Sequence, residues 1–215
     1  MKKIYVSILA AGLLFSACNT APKGESAEVS EEETLSTATP DGEAYTITDG
    51  STISFEGATP SHTQNGSFSI SEGALYVKED ALTGGSVTVA LPDMEITTKD
   101  LPAEEKEKLK GHLMGEDFFH ASDHPNVKFE ITGVEALEGD EKNTHTITGN
   151  LDMNGKANSI SFPANLEMGD GKIGARAEFV INRKDWGMVY GNDESLKDKW
   201  IYDEVKMTLA IDAAK

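Results

Sequence analysis

Three of the five histidines crowd into HLMGEDFFHASDHPNVKFEITG, residues 112–133. His112, His120 and His124 are interleaved there with Asp117 and Asp123, the imidazole and carboxylate donors that hold divalent metals. The four-residue spacing of His120 and His124 shares a face only on a helix. Pro125 and the Ser122-Asp123 pair point instead to a turn, so the stretch reads as a polar loop and no metal site is expected. Ser61-His62 and the distant Asp185 supply a nucleophile, a base and an acid, but their positions define no geometry between them. GxSxG, HExxH and P-loop patterns do not occur. No enzymatic activity and no cofactor are expected. Two apolar residues in the same stretch stand out more: Phe118 and Phe119 lie side by side among loop-forming residues. Burial of each ring is worth roughly 1.5–3 kcal/mol, so a neighbouring element must cover them.

The lone cysteine carries a different chemistry. MKKIYVSILAAGLLFSAC places Lys2 and Lys3 before an apolar run that ends at Cys18, a secretory signal too short for a comfortable membrane span. Leu14 to Cys18 resembles a bacterial lipobox. With one cysteine in the chain no internal disulfide can form, and acylation accounts for a thiol that would otherwise be unexplained. Two or more acyl chains on Cys18 would hold the mature protein stably on a membrane. The expected organisation is a signal peptide over residues 1–17, a tether over 18–43 and one domain over 44–215. The tether is rich in Ser, Thr, Glu, Ala and Pro and poor in large apolar residues, which predicts a flexible acidic linker. The expected location is the cell envelope, lipid-anchored and facing periplasm or cell surface.

A net charge of −18, more negative still once Lys2 and Lys3 are removed, disfavours nucleic acid and anionic headgroups as partners.

The elements that must position the remaining residues are strands. From Tyr45 onward apolar side chains recur with period two: Tyr45 and Ile47, Ile53 and Phe55, Phe68 and Ile70, Leu75 and Val77, Val87 to Leu91, Val127 to Ile131. The rhythm continues through Ile147 to Met153, Ile160 to Leu166, Ala175 to Ile181 and Val205 to Ile211. This is the pattern of strands with one buried face. Asp49-Gly50, Asn65-Gly66, Gly84-Gly85, Asn154-Gly155 and Gly169-Asp170-Gly171 read as turn signals between them. One segment, LPAEEKEKLKGHLMG, has the early proline, leading acids and late glycines of a short helix. The predicted class is all-β, an antiparallel sandwich or closed barrel of about eight strands with one short helix.

Three ordered motifs carry a family resemblance. The first is His112-Leu113 leading to Phe118-Phe119, then Pro125 and the strand through Phe129 to Ile131-Thr132. The second is ITGNLDMNGKANSISFPANL, through Gly149, Leu151 and Gly155, and the third is NRKDWGM, through Arg183, Asp185, Trp186 and Gly187. With the closing strand DEVKMTLAIDA they resemble the YceI-like family over residues 44–213. The resemblance implies a lipocalin-like antiparallel barrel holding a long apolar lipid, a polyisoprenoid or isoprenoid quinone, for sequestration or transport. A homodimer is compatible with it, although no residue requires one.

Mid-strand positions of inward parity are the candidate lining of such a cavity: Phe55, Phe68, Val89, Phe129, Leu151, Phe162, Phe179 and Ile181. Phe118 and Phe119 are expected to pack across one end of the barrel. The alternative is a structural or interaction lipoprotein whose barrel is filled by its own side chains and takes no ligand.

Overall fold

The computed structural model describes residues 20–35 and 40–215; the signal segment and Cys18 lie outside the described residues. The first strands are β1 (Glu28–Glu31), β2 (Glu43–Ile47), β3 (Thr52–Ala58), β4 (Thr63–Lys78), β5 (Ala81–Ala90) and the short β6 (Glu95–Ile96), with alternating apolar residues from β2 to β5. They are followed by α1 (Ala103–Leu113), β7 (Asn126–Ala136), β8 (His145–Met153), β9 (Lys156–Gly169), β10 (Lys172–Asn182) and β11 (Glu204–Ala214). β2 and β3 are halves of one interrupted strand between β4 and β11. Ser51 and Thr48 bridge the interruption, both hydroxyls donating to the Asp212 carbonyl at 3.1 Å. Counting these halves as one, eight antiparallel strands close on themselves, so the closed-barrel alternative holds over the sandwich. Closure removes the exposed edges that an open sheet would present.

The tight turns lie partly elsewhere than the glycine pairs suggest. Asn154-Gly155 and Asp170-Gly171 make two-residue hairpins with positive φ at both positions, the geometry that matches strand twist. Glu79-Asp80 does the same between β4 and β5 without any glycine. Asn65-Gly66 and Gly84-Gly85 are instead inside β4 and β5. Their glycines answer to packing: a Cβ on Gly66 would lie 2.3 Å from the Phe55 ring, and one on Gly85 2.7 Å from Leu75 Cδ2.

The barrel interior is divided along its length. At the end with the 79–80 and 170–171 turns, Tyr45, Leu75, Leu82, Leu166 and Ile173 are buried against one another. At the other end gather the 59–62 turn, α1 with the loop after it, and the connection 183–203 between β10 and β11. α1 buries no residue and turns half-exposed Leu109 and Leu113 toward the lumen. Among the described residues no helix is long and apolar enough to cross a membrane.

One stretch departs from expectation. β9 and β10 pair only through Ala164–Gly169 and Lys172–Ala177 and separate beyond them. Residues 25–31, read from composition as flexible tether, fill the gap. The Ala27 amide donates to the Val180 carbonyl and the Val180 amide to the Glu25 carbonyl, both at 2.8 Å. On the other side β1 pairs antiparallel with β9, Glu28 opposite Ser161 through Glu31 opposite Asn158. Beyond β1, the Asn150 side chain clasps the Glu33 peptide unit, accepting from its N–H at 2.9 Å and donating to its C=O at 2.7 Å. The compositional rule weighs side chains, whereas this segment is ordered by main-chain bonds to two open strand edges, which any sequence can make.

Candidate functional site

Period-two alternation sends one side chain in two into the barrel, and the inward set is almost wholly hydrocarbon. At the α1 end these side chains fail to meet. A cavity of about 370 Å³ remains between them, within the range of ordinary small-molecule sites. Inward residues Phe55, Phe129 and Leu151 therefore keep part of their surface accessible.

All eight residues singled out as candidate lining border this one cavity: Phe55, Phe68, Val89, Phe129, Leu151, Phe162, Phe179 and Ile181. Their rings form two apolar groups in the wall. Phe162 stacks on Phe179 with centroids 4.1 Å apart, Phe129 leans on Phe162 at 5.8 Å, and Phe55 meets Phe68 at 5.4 Å. Phe119 stands edge-on to Phe68 at 6.0 Å, while Phe118 packs on His112 at 5.1 Å and Tyr190 at 5.6 Å. The adjacent phenyl rings of the loop thus join α1 and the 183–203 connection to the barrel, and both border the cavity at that end.

Polar groups reach the cavity chiefly at the same end: Thr59, Gln64, Arg183 and Tyr202. Arg183 is 3% exposed. Its Nε donates to the Tyr202 carbonyl and its Nη2 to the Ile201 carbonyl, each at 3.1 Å, and its Nη1 to the Met188 carbonyl. Asp203 Oδ1 lies 3.4 Å from Nη2. Burial pushes the guanidinium pKa down, opposed by the charges of Asp203 and Glu204. The arginine pins the returning chain, Ile201 to Asp203, against the end of β10. Sequence reasoning recognised Arg183 as a motif residue without placing it at the cavity; a basic residue directly after an inward apolar run was the available signal. Trp186, next in the motif, is 1% exposed and donates from Nε1 to the Leu151 carbonyl at 3.0 Å.

The residues with catalytic or metal-binding chemistry are placed otherwise. Ser61 and His62 hydrogen-bond each other at 2.7 Å on the exposed 59–62 turn. The Asp185 main-chain carbonyl accepts from Lys156 and Asn158. His112 lies 3.2 Å from Asp117, and His120 3.6 Å from Asp123. Among the described residues no three such side chains gather in a metal-binding group.

A closed antiparallel eight-strand barrel with an internal apolar cavity, packed with side chains at one end, is the class of protein that the fold and the site define. The YceI-like domain model matches residues 45–213, and the chain belongs to that family. No curated protein matches it. Among solved structures it is similar to Burkholderia cenocepacia BcnA, with 18% identity, a TM-score of 0.61, and 76% of this chain and 96% of that one covered. A Campylobacter jejuni YceI protein aligns with 18% identity and a TM-score of 0.52, over 70% and 84% of the two chains. A polyisoprenoid binding domain from Saccharophagus degradans, implicated in plant cell wall breakdown, aligns with 12% identity and a TM-score of 0.56, over 79% and 97%. At these identities the likeness establishes the fold.

Proposed function

We propose that the barrel binds a long apolar lipid, a polyisoprenoid or isoprenoid quinone, and sequesters or carries it within the cell envelope without a chemical step. The observation that carries this reading is the hydrocarbon-lined cavity of about 370 Å³. At about 30 Å³ per water-sized group the space takes roughly a dozen methylene-sized units. Each buried methylene contributes about 0.8 kcal/mol, a gross gain near 10 kcal/mol before the costs of ordering the chain. A longer tail would extend past the α1 end, where the polar groups lie. The similar Saccharophagus degradans domain is described as polyisoprenoid-binding, which supports the choice of ligand class.

Acylation of Cys18 would keep the barrel beside the membrane in which such a ligand resides, facing periplasm or cell surface. A homodimer is not needed for this activity. The competing reading, a structural lipoprotein with a filled barrel, requires side chains where the cavity is found. The test is native mass spectrometry of protein purified from its source, with an organic extract of the same material. A near-stoichiometric isoprenoid or acyl chain is expected. An empty extract, together with no uptake of added polyprenol, would overturn the proposal.

A further inference from the structure

Among the described residues the exposed large apolar side chains are Val29, Val189, Tyr190 and Leu196. Three of these four fall within one segment of the β10–β11 connection, with Val189 55% and Tyr190 and Leu196 each 44% exposed. That segment leaves the cavity wall at Met188 and rejoins it at Ile201 and Tyr202. It is braced from behind: the Tyr190 ring packs edge-on to His112 at 4.9 Å and against Phe118. The Gly191 carbonyl accepts from the Ile201 amide at 2.7 Å. Trp200, half-buried, stands edge-on to Tyr202 at 4.6 Å. A supported loop therefore holds aliphatic and amphipathic aromatic groups outward beside the opening of a hydrocarbon-lined cavity.

We propose that this loop, residues 189–200, is a docking surface for a neutral lipid bilayer. Val189, Tyr190 and Leu196 enter the headgroup region and seat the open end of the barrel on the membrane. Aliphatic side chains with Tyr and Trp suit that depth, where one part of a ring is apolar and another wet. Charge favours a neutral surface over an anionic one. Lys197 and Lys199 are offset by Asp193, Glu194 and Asp198, and the whole chain carries −18. Docking is then driven by apolar burial and is insensitive to salt. It gives the lumen a path to hydrocarbon that avoids water. The docking surface extends the lipid-binding reading, although its evidence is the rim and not the cavity.

The experiment uses the full acylated protein reconstituted in phosphatidylcholine vesicles that contain a brominated phosphatidylcholine. The chain has two tryptophans, and Trp186 is buried, so bromine quenching reports Trp200. Quenching that persists in molar salt is expected, with its loss in the Val189→Ser, Tyr190→Ser, Leu196→Ser triple variant. Absence of quenching in the parent protein would overturn the proposal. So would equal quenching in the variant, or a concentration-dependent dimer in detergent that the triple variant abolishes. Lipid content of the same samples, read by native mass spectrometry, separates the two proposals. A filled cavity without quenching removes the docking surface alone, whereas quenching with an empty cavity removes the carrier reading alone. Retained lipid in the triple variant shows that it has folded.

Discussion

The Phe129 ring on β7 lies directly over Gly149 on β8, so closely that a Cβ added to the glycine would sit 2.5 Å from the ring's Cζ and 2.5 Å from the Glu130 carbonyl oxygen. Phe129 can turn its ring along the wall because its neighbour has no side chain, and the lumen keeps the volume the ring would otherwise occupy. Gly149→Ala should force the ring inward or the strands apart. A loss of about 1–3 kcal/mol is expected, read as a lower denaturant midpoint with unchanged slope, and with reduced lipid content.

Leu151 tests whether the cavity is a true void. Its side chain points into the lumen and is only half-buried, while its main chain is held by Trp186. Leu151→Trp should fill the space, abolish polyprenol uptake and leave the denaturant midpoint unchanged or higher. In a solid core the same change would overpack and cost about 1–3 kcal/mol.

Arg183 is expected to be the most sensitive polar position. Arg183→Leu removes the guanidinium donor from the Met188, Ile201 and Tyr202 carbonyls and leaves Asp203 paired with Lys184 alone, at 2.6 Å. Leaving a buried acceptor without its donor typically costs about 1–3 kcal/mol. Arg183→Lys should recover only part, because an ammonium lacks the planar fork that reaches several carbonyls at once. Thermal unfolding of the two variants beside the parent measures the difference.

Asn150→Ala removes both hydrogen bonds to the Glu33 peptide. At about 0.5–1.5 kcal/mol each the global midpoint should fall modestly. The sharper readout is amide exchange, with Ala27 and Val180, which bridge the seam, exchanging faster than the β7–β8 amides.

Stripping the lipid should lower the melting temperature, since a ligand held at one hundred times its Kd adds about 2.7 kcal/mol. Adding polyprenol back should restore it in the parent and not in Leu151→Trp.

The lumen was legible from sequence because period-two parity alone sorts Phe68, Phe162 and Phe179 from their serine and glutamate neighbours, and closure of the sheet leaves that parity one inside. Glycine was read less well. Asn65-Gly66 carries the same dipeptide chemistry as Asn154-Gly155, yet the first makes room for a ring and the second makes a turn. Which of these a glycine serves depends on a residue from another strand, invisible to local pattern. Arg183 eluded placement for the same reason, since its carbonyl partners at 201 and 202 arrive from beyond a long connection. The leading acidic segment was misjudged because its order comes from peptide groups, which leave no trace in composition.

The wedge between β9 and β10 has a practical side. The family match starts at residue 45, so a recombinant version trimmed to that natural-looking boundary would lack the polypeptide that covers the upper halves of Ser159 to Ser161 and of Val180. Two rows of bare amides and carbonyls would then face solvent, a template for stray strands from neighbouring molecules. Poor solubility, or lipid leaking sideways from such a trimmed preparation, would reflect a missing stave and not an unstable barrel.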